Sequence, residues 1–298
     1  MLQNVTMRIP SASQTMSGNA TLTAPIGLCI LSNKDIAVAS TFTDQVKIFS
    51  NSGSFLKIVT PFVPFNHPSD MLTLRSGEFA VRDDANIQFF TTWGKYIRSI
   101  DTTYINKCYG MAEIKEGLLV TINENKGRAW RKGKISDQDK SEDGTGLGET
   151  DLLFFSVETG QLVKRMEMAS IILDKQRSKC RFLTSWEDKL LITDLGMDCI
   201  YTLDLATKGV AVCGKSGRGP GCFSDPAGLV VDSQGNWLVA DSRNHRLCVY
   251  TGQGEWVGEV KLKPGAKRPS ALAVDRDKGD VYLLNLQGKW ALVRYSIE

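Results

Sequence analysis

The sequence predicts an all-β fold, a closed six-bladed β-propeller whose blades are four-stranded antiparallel sheets. Short runs rich in β-branched and aromatic residues recur along the 298 residues and are separated by Gly, Asp, Asn and Ser. The prolines that precede equivalent runs repeat at a fixed distance: Pro25 and Pro68 are 43 residues apart, and so are Pro226 and Pro269. Four strands with a period in the low forties are typical of propeller blades.

The fifth repeat shows this pattern most clearly, because four strand-like runs follow one another over residues 225–232, 235–241, 244–250 and 254–260. The first two repeats follow the same pattern, and two further units fill the middle of the chain. We expect blades to start near residues 24, 67, 109, 180, 225 and 268. Residues 126–150 interrupt the third blade between its second and third strands and are predicted to form an insertion.

The sixth repeat contains only three predicted strands before the sequence ends. A blade without its outer strand would leave an unpaired edge, which propellers avoid. We therefore expect the N-terminal segment Val5–Ile9 to complete the last blade and close the ring. This closure makes residues 1–298 one domain, whereas an open, solenoid-like array is the alternative.

Composition narrows the classes of function. A chain with 42% hydrophobic and 23% charged residues is not a disordered one, and a net charge of +3 does not by itself require a nucleic-acid partner. No apolar run approaches the roughly 18 residues of a membrane span, and the N-terminus lacks the apolar core of a secretory signal. The seven cysteines include no C-x-x-C pair, so we expect buried thiols and a cytoplasmic protein without membrane contact.

The segments Pro226–Asp232 and Val239–Arg246 resemble the NHL repeat, and residues 217–223 resemble the loop that enters such a repeat. The resemblance is strong in the fifth unit, fair in the first two and weak in the others. It implies a six-bladed propeller similar to the C-terminal module of TRIM-NHL proteins, especially the animal translational repressors. The RING, B-box and coiled coil of those proteins have no counterpart in this sequence, so any ubiquitin-ligase chemistry would belong to an upstream module.

The placement of basic residues predicts a binding face. The segment from Arg243 to Arg268 has six positive and two negative residues, more net charge than the whole chain. Loops between second and third strands and loops between blades emerge on the same side of a propeller, so we expect cations and flat side chains to surround the channel mouth there. The candidate residues are Arg243, His245, Lys267, Arg268, Arg181, Lys107, Tyr109, Phe42, His67, Arg82 and Lys289.

Such a ring suits single-stranded RNA, because phosphates bind Arg and Lys while bases stack on aromatic rings and guanidinium planes. The resemblance to the translational repressors implies short, U-rich elements in untranslated regions of mRNA, with protein co-repressors as further partners of a monomeric domain. A solvated surface with scattered charge is the plain alternative for these residues. In a second hypothesis the propeller is a protein-docking platform that presents substrates or cytoskeletal partners to an upstream ligase.

A third hypothesis is a metal-dependent propeller enzyme, because Glu124, Asp194 and Asp241 occupy equivalent ends of predicted second strands. Turn capping is the alternative role for these carboxylates. The only two histidines, His67 and His245, exclude a His-rich zinc site. The sequence contains no arrangement typical of a catalytic nucleophile, so we expect no enzyme activity, no metal and no cofactor.

Overall fold

The computed structural model of the chain describes residues 2–10, 21–102, 107–115, 117–125, 149–262, 264–288 and 290–297. These residues form six four-stranded antiparallel sheets and a short two-stranded parallel ladder. The only helical element among them is one 3₁₀ turn at Thr41–Thr43. The predicted all-β, six-bladed propeller of four-stranded blades is therefore confirmed.

The N-terminal strand is β1 (Leu2–Pro10). Blade one consists of β2 (Pro25–Ile30), β3 (Ile36–Ser40), β4 (Gln45–Phe49) and β5 (Phe55–Ile58). Blade two consists of β6 (Asp70–Thr73), β7 (Phe79–Arg82), β8 (Asn86–Phe90) and β9 (Tyr96–Asp101). Blade three consists of β10 (Lys107–Glu113), β11 (Leu118–Asn125), β12 (Glu149–Ser156) and β13 (Leu162–Glu167).

Blade four consists of β14 (Cys180–Trp186), β15 (Lys189–Asp194), β16 (Cys199–Asp204) and β17 (Val210–Cys213). The parallel ladder β18 (Lys215–Ser216) and β19 (Cys222–Phe223) precedes blade five. Blade five consists of β20 (Pro226–Val231), β21 (Trp237–Asp241), β22 (Arg246–Tyr250) and β23 (Trp256–Lys261). Blade six contains β24 (Ala266–Asp275), β25 (Asp280–Gly288) and β26 (Trp290–Ile297).

The first strand of every blade lines a central channel. Each of these inner strands contacts the inner strands of both neighbouring blades, and β2 of blade one contacts β24 of blade six, so the ring is closed. Close approach of the inner strands requires small residues at the contact. A Cβ atom on Gly228 of β20 would lie 2.4 Å from the carbonyl oxygen of Ser270 on β24, a separation that only glycine tolerates.

Strands from both ends of the sequence complete blade six. The sheet order is β1-β26-β25-β24, and Val5 and Ile9 lie opposite Tyr295 and Leu292 in an antiparallel ladder. The predicted closure by the N-terminal segment is therefore confirmed. Lys34 of blade one forms ion pairs with blade six, to Asp275 at 2.9 Å and to Asp277. The closure leaves β26 with a partner on each side.

The hydrophobic cores lie between adjacent blades. For example, Leu238 and Leu247 of blade five pack in one cluster with Val281 and Leu283 of blade six, and all four are buried. The outer strands are covered on one side only, so burial alternates along β23 with the period of two that a strand dictates. This arrangement leaves the loops at the two ends of the channel free to carry the functional side chains.

All seven cysteines are free thiols and six of them are buried, as the sequence predicts. Burial raises the pKa of Cys29 to about 12 and that of Cys108 to about 11, so these thiols stay protonated at neutral pH. No helix in the described part of the chain is long and apolar enough to cross a membrane. The insertion predicted at 126–150 falls largely on residues 126–148, which lie outside the described residues.

Candidate binding site

The loops between second and third strands and the loops between blades meet on one side of the propeller, which we call the upper face. A pocket of about 350 Å³ lies there at the mouth of the central channel, and every blade contributes to its wall. We call it the mouth pocket. The predicted residues that line it are His67, Arg82, Tyr109, Arg181 and Arg268.

Other predicted residues lie elsewhere on the upper face. Arg243 and His245 line a shallow groove of about 480 Å³ beside blade five, which also includes Arg218 and Arg268. Phe42 stands in the 3₁₀ turn of blade one with 77% of its surface exposed, and Lys267 is exposed on β24. Lys107 is placed only by its backbone, at the start of β10, and Lys289 lies outside the described residues.

Tyr109 lies between two arginines at the pocket wall. The guanidinium carbon of Arg181 is 3.8 Å from the centre of the Tyr109 ring, and that of Arg82 is 5.7 Å away. Arg181 also forms an ion pair with Glu124 at 3.3 Å, and Glu124 hydrogen-bonds the hydroxyl of Tyr109. Burial raises the pKa of Tyr109. Arginines already flank this ring, so it is not an open stacking platform for a base.

Arg82 differs from the other arginines because it is buried and has no carboxylate within ion-pair distance among the described residues. Only 4% of Arg82 is exposed at the end of β7. Its two Nη groups donate to the hydroxyl of Ser69 and, at 3.4 Å, to the carbonyl of Asp83, while its Nε has no partner. A buried guanidinium without an anionic partner is energetically costly.

Asp70 is the functional group that the sequence analysis missed. Asp70 is the first residue of β6 and lies opposite Arg82 of β7 in the ladder. The first and fifth repeats have a glycine at the equivalent position, Gly27 and Gly228. Its carboxylate accepts hydrogen bonds from the backbone amides of Met71, at 2.9 Å, and Met111. Burial raises the pKa of Asp70 to about 6, although Arg82 acts in the opposite direction.

Carboxylates lie next to several of the predicted cations on the upper face. Asp225 forms ion pairs with Arg243 at 2.5 Å and with Arg268 at 3.4 Å, and His67 lies 3.4 Å from Asp84. Three arginines and three aspartates line the mouth pocket. Arginines and aspartates are therefore equal in number in the wall of this pocket.

Arg246, part of the same basic segment, is buried and does not belong to the surface. Its Nε donates to Asp241 at 2.8 Å, and the same guanidinium forms an ion pair with Glu259. Further hydrogen bonds to the carbonyls of Gly219 and Cys222 attach the turn of blade five to the loop that enters the blade. This arginine holds the repeat together.

The three carboxylates considered for a metal site have protein partners: Glu124 pairs with Arg181, and Asp194 and Asp241 accept hydrogen bonds from backbone amides of nearby loops. Asp194 accepts hydrogen bonds from the backbone amides of Lys179, Gly196 and Met197 at 2.7 to 3.1 Å. Asp241 accepts one from the amide of Ser224 at 2.7 Å in addition to its contact with Arg246. No cluster of three or more His, Cys, Asp or Glu side chains in the described residues could hold a metal ion.

Several large apolar side chains are exposed in the loops and strand ends of the propeller, and one of them, Leu286, lines the mouth pocket. Phe62 is 72% exposed in the loop between blades one and two, where one side of its ring stacks on Tyr96 at 5.0 Å. Leu173 is 62% exposed in the loop between blades three and four, and Leu286 at the end of β25 is 43% exposed. Phe42 follows Thr41, which lines the mouth pocket. Tyr96, the stacking partner of Phe62, begins β9 at the opposite end of blade two, so Phe62 lies on the outer side of that blade.

Comparisons with known proteins agree with this architecture. Residues 223–250 match the family model described as the NHL repeat. None of the curated protein sequences compared with the chain matches it significantly. Among solved structures, a protein of unknown function from Bacteroides thetaiotaomicron is similar, with a TM-score of 0.75 and 14% identity over 99% of this chain and 76% of that one.

Two further structures are propellers with assigned roles. A luciferin-regenerating enzyme aligns with a TM-score of 0.62 and 16% identity, over 93% of this chain and 92% of that one. The calcium-binding protein regucalcin from Agrobacterium tumefaciens aligns with a TM-score of 0.64 and 12% identity, over 93% and 91% of the two chains. At these identities the likeness shows the fold. The protein is thus a six-bladed β-propeller with an NHL repeat in its fifth blade.

Proposed function

We propose that the protein is a non-catalytic binding platform that docks a segment of a partner protein on its upper face. The observation that carries this proposal is the exposure of Phe42, Leu173 and Leu286 on the upper face, beside a pocket lined by three arginines and three aspartates. Exposed aromatic and aliphatic side chains around a concave centre are typical of protein interaction sites. The charge balance argues against a site that depends on many phosphate contacts.

A random peptide library displayed on phage, panned against the full chain, tests this function. We expect enriched peptides with apolar residues whose affinity falls about tenfold in Phe42→Ser and Leu173→Ser, because a few large anchors dominate such interfaces. Trp93→Ser is the matched control: Trp93 is 69% exposed but stands between the third and fourth strands of blade two, on the opposite face. Equal losses in all three variants would contradict the proposed face.

Single-stranded RNA is the second candidate, in line with the resemblance to the TRIM-NHL translational repressors. The groove beside blade five favours it, since Arg218, Arg243 and Arg268 line this groove and no acidic side chain does. His245 accepts a hydrogen bond at Nδ1 from the backbone amide of Arg268 at 3.1 Å, which leaves Nε2 as a donor.

Titration of a fluorescent U-rich RNA at two salt concentrations decides between the two functions. RNA binding that weakens steeply with salt, and that is lost in Arg218→Glu and Arg243→Glu, would replace the protein-docking proposal if the peptide library also yields nothing. Under the protein-docking proposal we expect selected peptides and no salt-sensitive RNA binding. Lys95→Glu, at an exposed position in the turn before β9 on the opposite face, is the control for a change in overall charge.

A further inference from the structure

Three junctions between blades share one hydrogen bond on the upper face. The residue before the first proline of a blade donates its backbone amide to a side chain of the preceding blade, in the turn between its second and third strands. These bonds run from His67 to Asp44 at 2.7 Å, from Asp225 to Asp198 at 2.8 Å and from Arg268 to Nδ1 of His245 at 3.1 Å. The three acceptor residues all have a left-handed backbone, with φ of 49°, 52° and 56°, so their positions are equivalent.

The junction of blades five and six differs from the other two in charge. Its acceptor is an imidazole, whereas blades one and four have an aspartate at this position. Because Nδ1 of His245 accepts the backbone hydrogen bond, Nε2 of the neutral ring carries the proton and is a donor. Arg268 adds a guanidinium group that is 29% exposed. At this junction, groups that donate hydrogen bonds therefore stand where the repeat elsewhere has a carboxylate.

Arg243 converges with Arg268 at the same junction. Oδ2 of Asp225 lies 2.5 Å from Nε of Arg243 and 3.4 Å from Nη2 of Arg268, so one carboxylate oxygen holds the two guanidinium groups side by side. The backbone amide of Arg243 donates to the carbonyl of Ser224 at 3.0 Å, which fixes the turn. The Arg243 side chain is 62% exposed, and the ion pair engages only its Nε. Asp225 thus positions the two arginines and leaves donors open to a ligand.

The loop that enters blade five brings a third arginine to this place. Nδ2 of Asn244 donates to the carbonyl of Gly217 at 2.8 Å, which holds the loop against the turn that contains His245. Arg218, the next residue of the loop, is exposed, and no carboxylate in the described part of the chain pairs with it. The three arginines and His245 line the groove beside blade five, which has a volume of about 480 Å³.

The charge of the groove selects among anions. The three arginines and Asp225 leave two net positive charges at the junction. A phosphate monoester at neutral pH carries a charge of about −1.5 to −2 and has three terminal oxygens, which guanidinium groups bind in pairs. A phosphodiester or a carboxylate has a single charge and two such oxygens, so either would leave donors unused. None of the described residues that line the groove is apolar, so nothing in its wall favours an apolar carrier of the phosphate.

We infer that the groove beside blade five binds a phosphate monoester through Arg218, Arg243, Arg268 and Nε2 of His245. Asp225 is a positioning residue, because it contacts the arginines and not the ligand. The inference does not rest on the proposed function, since it uses none of the exposed apolar side chains. It also differs from the RNA candidate, whose backbone phosphates are diesters. A phosphorylated protein side chain and a small phosphorylated molecule both present a monoester.

Titration of the full chain with methyl phosphate at about pH 7.5, above the second pKa of roughly 6 of such esters, tests the site. We expect NMR shifts of the backbone amides of Arg243, Asn244 and His245. Dimethyl phosphate, which has one charge fewer, should bind about tenfold more weakly. N-acetylphosphoserine N-methylamide and glucose 6-phosphate represent the two sources of the group, and the tighter ligand of the two identifies the source.

His245→Asp separates the charge of the site from its fold. Aspartate accepts the equivalent backbone hydrogen bond in blades one and four, so this variant should keep the unfolding temperature of the unchanged chain. Its added negative charge should lower the affinity for methyl phosphate at least about tenfold. Arg218→Gln should weaken binding several-fold without a change in stability, because Arg218 is exposed. Lys95→Gln, which removes one exposed charge from the opposite face, is the control and should bind normally.

Equal affinities for methyl phosphate and dimethyl phosphate would overturn the inference and assign the groove to phosphodiesters. Unchanged affinity in His245→Asp and Arg218→Gln would overturn it as well, and so would an equal loss in Lys95→Gln, which would indicate a general effect of charge. Methyl phosphate needs no peptide in order to bind. A phage selection without enriched peptides therefore contradicts the proposed function alone, and an unbound methyl phosphate contradicts only the phosphate site.

Discussion

Arg246 donates from Nε to the buried carboxylate of Asp241 at 2.8 Å, and both side chains are at least nine-tenths buried. These two residues lie at the end of β21 and the start of β22, opposite each other in the ladder. The same arginine reaches the loop that enters blade five through the carbonyl of Cys222. The pair therefore connects the NHL repeat to the preceding blade, and its role is structural.

Removal of one partner should destabilise the protein strongly. We expect Arg246→Met to lower the free energy of unfolding by about 3 to 5 kcal/mol, because Asp241 would remain as an uncompensated buried charge. Urea denaturation measures this change. Lys115→Met is the control, since it breaks an exposed ion pair with Asp188 and should cost less than about 1 kcal/mol. Similar losses in the two variants would contradict the role assigned to Arg246.

The close contact of inner strands makes Gly228 irreplaceable. An alanine there would place its Cβ 2.4 Å from a backbone carbonyl of blade six, so Gly228→Ala should cost roughly 3 kcal/mol or more. Gly258 on the outer strand β23 has no atom within 4 Å of the equivalent position. Gly258→Ala should leave the midpoint of thermal unfolding unchanged or raise it slightly. If Gly258→Ala proved less stable than Gly228→Ala, the close contact assigned to Gly228 would be refuted.

Closure of the ring depends on β1. A chain that lacks residues 1–10 should unfold at a lower temperature and self-associate, because β26 becomes an unpaired edge strand. Lys34→Ala removes ion pairs between blades one and six but no strand, so it should cost about 1 kcal/mol or less and leave the protein monomeric. Differential scanning calorimetry and light scattering check both points. A truncated chain with the same unfolding temperature and the same association state as the full chain would disprove closure by β1.

The raised pKa of Asp70 makes stability depend on pH. The pKa of this carboxyl rises from 3.8 to about 6 on folding, so the protonated form is favoured in the folded protein. Its stabilising contribution is complete below pH 3.8 and is lost as the pH rises through 6. When the pH is raised from 4 to 7, the free energy of unfolding of Asp70→Asn should increase by on the order of 2 to 3 kcal/mol relative to that of the unchanged chain. An equal difference in unfolding free energy at both pH values would contradict the shift.

The sequence predicted the fold because each blade is a local pattern of four strands and turns. It also predicted which loops reach the channel mouth, and five of its candidate residues line the mouth pocket. Charge balance was not predictable in this way, because Asp225 pairs with Arg268 from the next repeat. Asp70 was detectable in principle as a carboxylate at a glycine position of the repeat. Exposure of Phe62 and Leu173 depends on loop conformations that no periodicity encodes.

Hydrogen–deuterium exchange of the full chain, with and without a library-selected peptide, locates the docking surface. We expect protection in the upper-face segments 41–44, 66–69 and 168–179, together with β6 near Asp70. Protection confined to the lower-face turns at 31–35, 74–78 and 91–95 would contradict it.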